Sequence, residues 1–154
     1  MITIRRATEG DRAFILSLAD RLADFDRPSW RSAREIADGD RRALASELDA
    51  PSEDNGLFIA LRDHQPAGCL LMWTLEDYFS GQRHAHISVI AVTREAEGRG
   101  VGRALMEYAE QWARTRGHTR LTLSVFESNK RAQALYEHAG FQVEMRRYAK
   151  SLSE

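Results

Sequence analysis

Glu97-Gly98-Arg99-Gly100-Val101-Gly102 decides the reading of this chain. It lies between an apolar run, Val89-Ile90-Ala91-Val92, and a stretch in which Val101, Leu105, Tyr108, Ala109 and Trp112 fall on one helical face. Alternate glycines at a strand-to-helix junction let backbone amides point into one concavity with no side chain in the way of a ligand. The amides and the dipole at the helix start then favour an anion such as a pyrophosphate. Arg103 stands where the dinucleotide fingerprint GxGxxG needs its third glycine, and no Gly-Lys-Ser/Thr occurs, so neither that fingerprint nor a P-loop is present. Taken alone, such a turn is equally consistent with a tight connection.

Outward from the turn, the pattern alternates between strand and helix. His84 to Val92 reads as a strand whose end is apolar on both faces, as a central position requires. Leu121, Leu123 and Val125 alternate with Thr122 and Ser124 in another strand, before a helix from about Lys130 to His138 that Gly140 ends. Phe141 to Ala149 reads as the last strand. Upstream, Ile2 to Arg6 is a short strand, and Thr8 and Asp11 open a helix whose stripe of Phe14, Ile15, Leu18 and Leu22 carries it to about Ala23. A second helical region covers Ser32 to Leu48, with a weak interruption at Asp38-Gly39-Asp40. Leu57 to Leu61 and Gly68 to Leu75 form a hairpin around the turn Asp63 to Ala67.

The chain has 154 residues, the length of one domain spanning 1–154, and its 43% hydrophobic content is enough for a core. Lys+Arg number 22 against 23 Asp+Glu, a formal net charge of -1, so no global field selects polyanions and nucleic acid is a poor partner. Cys69 is the only cysteine and sits in an apolar run, which makes it a buried small hydrophobe. No apolar run reaches the ~20 residues that cross a bilayer, and the first residues lack the apolar core of a signal peptide, so a cytoplasmic protein without a membrane partner is expected. The five histidines form no metal-ligand set, and His84-x-His86 alone is weak as a metal site, so none is expected.

The order of these pieces resembles the GNAT N-acetyltransferase superfamily. Its signature is a strand ending in Val, then Gln/Arg-x-x-Gly-x-Gly/Ala opening a helix; here stand Val92 and Glu97-x-x-Gly100-x-Gly102. Further on, the family places a strand, an Asn, and a helix with Ala and Leu-Tyr before Gly-Phe; here stand Leu121 to Val125, Asn129, Ala132, Leu135-Tyr136 and Gly140-Phe141. The likeness covers residues 56 to 149 well and the N-terminal part only by pattern. Glu97 departs from the family's Gln or Arg.

The resemblance implies a mixed α/β fold: a mostly antiparallel sheet of about six or seven strands, flanked by about four helices and splayed at its central strands near Val92. It implies acetyl-CoA as co-substrate and transfer of its acetyl group to the primary amine of a small-molecule or protein acceptor. Amides of Gly98, Arg99, Gly100, Val101, Gly102 and Arg103 would hold the pyrophosphate, the backbone of Ile90, Ala91 and Val92 would pair with the pantetheine arm, and Asn129 would hydrogen-bond that arm. Tyr136 would be the acid for the leaving thiolate. A phenol with a pKa near ~10 keeps its proton at neutral pH. Read from the residues alone, Asn129 is equally a helix N-cap and Tyr136 a packing residue.

Many relatives carry a Glu as base in the central strand, where this chain has Ser88. His86, with an ordinary pKa near ~6.5, is the candidate base, with His84, Glu76 and Asp77 behind it. Trp30, Trp73, Glu76 and Tyr78 are the candidate acceptor-binding residues, the aromatics as walls and the carboxylate for a cationic amine; core packing and a solvated turn are their plainer readings. Arg146, Arg147 and Tyr148 border either that pocket or a homodimer contact. A silent acyl-CoA sensor, an interaction domain and a mononucleotide-binding module remain as other classes.

Overall fold

The computed structural model describes residues 1–153. Five strands, β1 (Ile2–Arg6), β2 (Gly56–Arg62), β3 (Gln65–Glu76), β4 (Arg83–Val92) and β5 (Leu121–Leu123), form one sheet in sequence order. The first three pairings are antiparallel and β4 with β5 is parallel. Four α-helices flank the sheet: α1 (Arg12–Ser17), α2 (Ala33–Asp49), α3 (Val101–Thr115) and α4 (Lys130–His138).

Alternation along the strands builds two apolar layers. Phe58, Leu70, Met72 and Ile87 face Val101, Leu105, Ala109 and Trp112 of α3. Leu57, Cys69, Leu71, Val89 and Ala91 face Ile15, Leu18 and Leu44 of the N-terminal helices. Cys69 has no exposed surface, and burial pushes its thiol up to about 12, so it is inert packing.

Local chemistry explains the ends. At α2 the Glu35 amide donates to Ser32 Oγ at 3.0 Å while the Ser32 amide donates to Glu35 Oε1 at 2.8 Å, a reciprocal cap. Gly117 (φ 80°) closes α3 in the left-handed region, its amide donating to the Arg114 carbonyl at 2.9 Å.

Four details differ from the expectation. The first helix does not run straight to Ala23: it stops at Ser17, whose hydroxyl donates to the Phe14 carbonyl at 2.5 Å and competes with the helix ladder, and a tighter 3-10 segment, Leu18–Ala23, continues. The hairpin turn is only Asp63-His64, both at positive φ (49° and 69°), so β3 begins at Gln65 rather than Gly68. β5 ends at Leu123, short of Val125. Among the described residues the sheet has five strands rather than six or seven, because residues 141–149 join no strand: Val143, Met145 and Tyr148 are 72%, 66% and 86% exposed. Their alternation reads as a strand, yet β5 offers a very short edge. The segment is held beside it by Arg120 donating to Glu144 at 3.0 and 3.2 Å.

Asp40 breaks the apolar stripe of α2 between Ala37 and Leu44, half-buried, and burial raises its carboxyl to about 6. A raised carboxyl pKa means that the folded state resists the charge. The penalty is absent below the ordinary value of 3.8, grows as pH rises, and is complete above about 6. Asp40→Asn is therefore expected to stabilise the fold by about 1 kcal/mol at pH 8, after allowance for solvent at a half-buried position, and to be neutral near pH 4. Denaturant unfolding at the two pH values checks this; equal effects at both would show that the charge is not what matters.

Candidate functional site

β4 and β5 pair only through Ala85–Ile87 with Leu121–Leu123, whereas β4 continues to Val92. Beyond Ile87 pairing with β5 stops and β4 has no strand partner on that side, which is the opening expected near Val92. On its other side β4 slips by one residue against β3: Leu71 faces Val89 while Met72 faces Ile87, leaving Ser88 as a bulge. Ile87 and Val89 consequently pack on opposite faces of the sheet, which plain alternation would not allow.

Backbone direction past the bulge follows from two contacts. The Thr93 amide donates to the Ala67 carbonyl at 2.8 Å, and the Ala91 carbonyl also faces β3, close under Gly68. By alternation the polar groups of Ile90 and Val92 face the gap left by β5. Ala91, grouped with them from sequence, turns its backbone to β3.

The glycine turn sits at the end of this free edge. Gly98 and Gly100 adopt φ of 72° and 87°, which side chains disfavour, and Gly100 is the N-cap of α3. The first intrahelical bond runs from the Ala104 amide to the Gly100 carbonyl at 3.0 Å, so the amides of Val101, Gly102 and Arg103 have no acceptor within the helix. A Cβ at Gly98 would meet no atom within 4 Å, and one at Gly102 would meet only Val92 Cγ2 at 3.7 Å, so the approach is open. Arg99 differs from its neighbours: its amide already donates to the Ala96 carbonyl at 3.2 Å. Arg103 directs its guanidinium along α3 to Glu107 at 3.1 Å. Glu97 is bonded by Arg21, which holds its carboxyl below the usual range.

α4 carries Asn129 at its N-cap and Tyr136 in its last turn. Asn129 Oδ1 accepts from the Ala132 amide at 3.3 Å, so the side chain does cap the helix. The adjacent Ser128 Oγ is buried and, among the described residues, has no hydrogen-bond partner. Tyr136 is half-buried, edge-on to Phe141 at 6.1 Å between ring centres, and burial raises its phenol pKa above 10.

His86 lies opposite Thr122 in the β4–β5 register, and its Nδ1 hydrogen-bonds Thr122 Oγ1 at 2.8 Å. Its ring stacks on Trp73 at 6.3 Å, and burial, with a smaller push from His84, lowers its pKa below 6.5. At neutral pH this imidazole is uncharged and able to take a proton. Thr122 as its orienting partner was missed in sequence; pairing across β4 and β5 was the signal. His84 is 8% exposed, and among the described residues its Nδ1 has no partner.

The candidate acceptor residues divide. Trp73 joins His86, whereas Trp30 and Tyr78 are 62% and 91% exposed, and among the described residues neither makes an aromatic contact with Trp73. Tyr78 instead meets Phe79 edge-on at 5.1 Å. Glu76 is exposed at the end of β3. A contact not foreseen is Phe25 against Phe126 at 5.2 Å, which ties the α1–α2 connection to the segment after β5.

A parallel strand pair whose pairing stops short, leading to a left-handed glycine turn that opens a helix, defines a class, and the chain falls in it: it belongs to the GNAT acetyltransferase family, whose model matches residues 19–141. Members of that family draw their acetyl group from acetyl-CoA. Across 92% of this chain and 84% of its own length, the bovine (Bos taurus) thialysine N-epsilon-acetyltransferase is 30% identical to it. The mycothiol acetyltransferase of Beutenbergia cavernae is 51% identical over 55 residues, of which this chain spans only 18% of the relative's length. A putative acetyl transferase from Pyrococcus furiosus superposes with a TM-score of 0.77 at 25% identity, covering 99% of this chain and all of the other. Among the described residues no helix is long and apolar enough to cross a membrane.

Proposed function

We propose that the protein is an N-acetyltransferase that moves an acetyl group from acetyl-CoA to a primary alkyl amine, the two substrates meeting in one ternary complex. The observation that carries this reading is a β4 edge with no strand partner beyond Ile87, where the backbone of Ile90 and the Val92 amide are turned outward, leading to the amides at the start of α3 that have no acceptor within the helix. Edge and turn fit a donor with an extended amide arm and a pyrophosphate: amides and a helix start for the anion, a free strand edge for the arm, and the buried Ser128 Oγ beside Asn129 for one further polar contact. Acetyl-CoA supplies an activated thioester there.

The chain's own residues do the rest. Gly98, Gly100, Val101, Gly102 and Arg103 bind through their amides, and Arg99 shapes the turn. The Ile90 amide faces the gap and polarises the acyl oxygen. His86, neutral and oriented by Thr122, takes the proton that the acceptor ammonium must lose before it can attack. The nitrogen–carbon bond forms as the carbon–sulfur bond breaks, Tyr136 gives its proton to the departing sulfur, and the second proton shed by the new amide nitrogen passes through water to restore the phenol. Trp73 walls the acceptor side and Glu76, at the end of the same strand, faces a cationic amine, with Trp30 and Tyr78 as further acceptor contacts. Thialysine carries its acetylated nitrogen at the end of an alkyl chain, and the bovine relative's name supports that acceptor type.

Isothermal titration with acetyl-CoA, alongside CoA, ATP and NAD, tests the reading. Acetyl-CoA is expected to bind, and Gly100→Ala to weaken it about tenfold, because a side chain at φ 87° costs about 1 kcal/mol or more and retracts the turn. Folded protein that ignores acetyl-CoA would remove the reading. A silent acyl-CoA sensor is the second reading, favoured by Ser88 at the strand position where relatives carry Glu. Binding without thiol release across an amine panel would select it.

A further inference from the structure

Arg21 stands where the free strand edge and the glycine turn meet. It comes from the 3-10 segment Leu18–Ala23, far from the turn in sequence. Even so, its Nε donates to the Val92 carbonyl at 3.3 Å and its Nη2 bonds the Glu97 carboxylate. Val92 ends the free edge of β4, and Glu97 opens the glycine turn. Arg21 is partly buried, at 24% exposure of its side chain, while Glu97 is exposed at 38%, so solvent screens the pair from the carboxylate side only.

Glu97 poses a problem that this contact answers. A carboxylate beside amides that attract an anion repels the same anion, and at a partly screened distance of several ångströms that repulsion is enough to weaken binding about tenfold. Other cations are near, but each is less direct. Arg94 is drawn to Asp24 at 3.7 Å, and Arg131 lends only its field from α4.

We infer that Arg21 is a positioning residue for the acyl donor: it neutralises Glu97 and clamps the Val92 carbonyl, so that the turn and the strand edge present an attractive field to the pyrophosphate. The N-terminal segment thereby takes part in donor binding. This rests on the acetyl-CoA reading above.

The test is a double-mutant cycle read as the Kd for acetyl-CoA, with thermal unfolding of each variant alongside. Arg21→Met is expected to weaken binding about tenfold, Glu97→Gln to bind within about twofold of the wild type, and the double variant to recover most of the loss. A merely structural Arg21 would give the opposite pattern, with the double variant as weak as Arg21→Met or weaker, and that result overturns the inference. Should Arg21→Met not fold, the exchanged pair Arg21→Glu with Glu97→Arg serves instead: binding near the wild-type Kd supports neutralisation, and loss of binding by the folded pair overturns it. The two readings fail differently. A wild type that does not bind acetyl-CoA removes both, whereas a wild type that binds, with an additive cycle, removes only the role of Arg21.

Discussion

Gly68→Val is expected to lower the unfolding temperature by about 10 °C, with a loss of about 3 kcal/mol, and to weaken acetyl-CoA binding with it. Gly68 lies opposite Val92 in the β3–β4 register. A Cβ there would stand 2.6 Å from the Ala91 carbonyl oxygen, 3.1 Å from Leu105 Cδ1 and 3.3 Å from Val101 Cγ1. The first of these is backbone and cannot swing aside. Val101 and Leu105 have no exposed surface, so α3 has nowhere to retreat without opening the layer it packs. Relief must come from moving β4 away from β3. That displaces Ile90 and Val92, whose polar groups face the gap, and tilts the start of α3 that carries the free amides. Circular dichroism melting and titration with acetyl-CoA check both parts. Gly68→Ala should show the same two losses at smaller size, since its Cβ already makes the 2.6 Å contact. An unchanged melting temperature in both variants would mean that the strand and helix do not approach so closely.

That glycine also shows what the sequence could and could not convey. The turn from Glu97 to Gly102, the apolar stripe of α3 and the order of β4, β5 and α4 were legible because each is local: glycine spacing, a helical period, a strand period. The close approach at Gly68 was not, because its cause lies in Ala91, Val101 and Leu105, which come together only in the folded sheet. The bulge at Ser88 was hidden for a related reason. One unpaired residue leaves no mark in Ile87-Ser88-Val89, yet it turns Ile87 and Val89 to opposite faces and sends the backbone of Ile90 into the gap. Arg21 reached Glu97 by a route no spacing rule encodes. Phe141 to Ala149 erred the other way: its alternation was real, but a strand exists only where an edge receives it, and β5 pairs over Leu121–Leu123 alone.

Tyr136→Phe is expected to lower kcat by about 100- to 1000-fold while leaving the Kd for acetyl-CoA and the melting temperature nearly unchanged, the range that loss of one general acid commonly covers. The phenol is half-buried, and burial raises its pKa above 10, so it stays protonated across the working range and is ready to donate. Its ring packs edge-on to Phe141, a contact phenylalanine reproduces, and among the described residues the hydroxyl has no hydrogen-bond partner to lose. Stability and catalysis therefore separate in this one variant. The pH profile sharpens the assignment. His86 must be neutral to accept a proton, and its pKa lies below 6.5, so kcat/KM of the wild type should rise with pH through a value under 6.5 and then level off. Tyr136→Phe should lower the whole plateau without moving that acid limb, whereas His86→Gln should flatten the limb itself. If Tyr136→Phe keeps the wild-type kcat, the phenol is packing and the leaving thiolate takes its proton from elsewhere. If the limb survives in His86→Gln, the base is another group, with His84 the next to test.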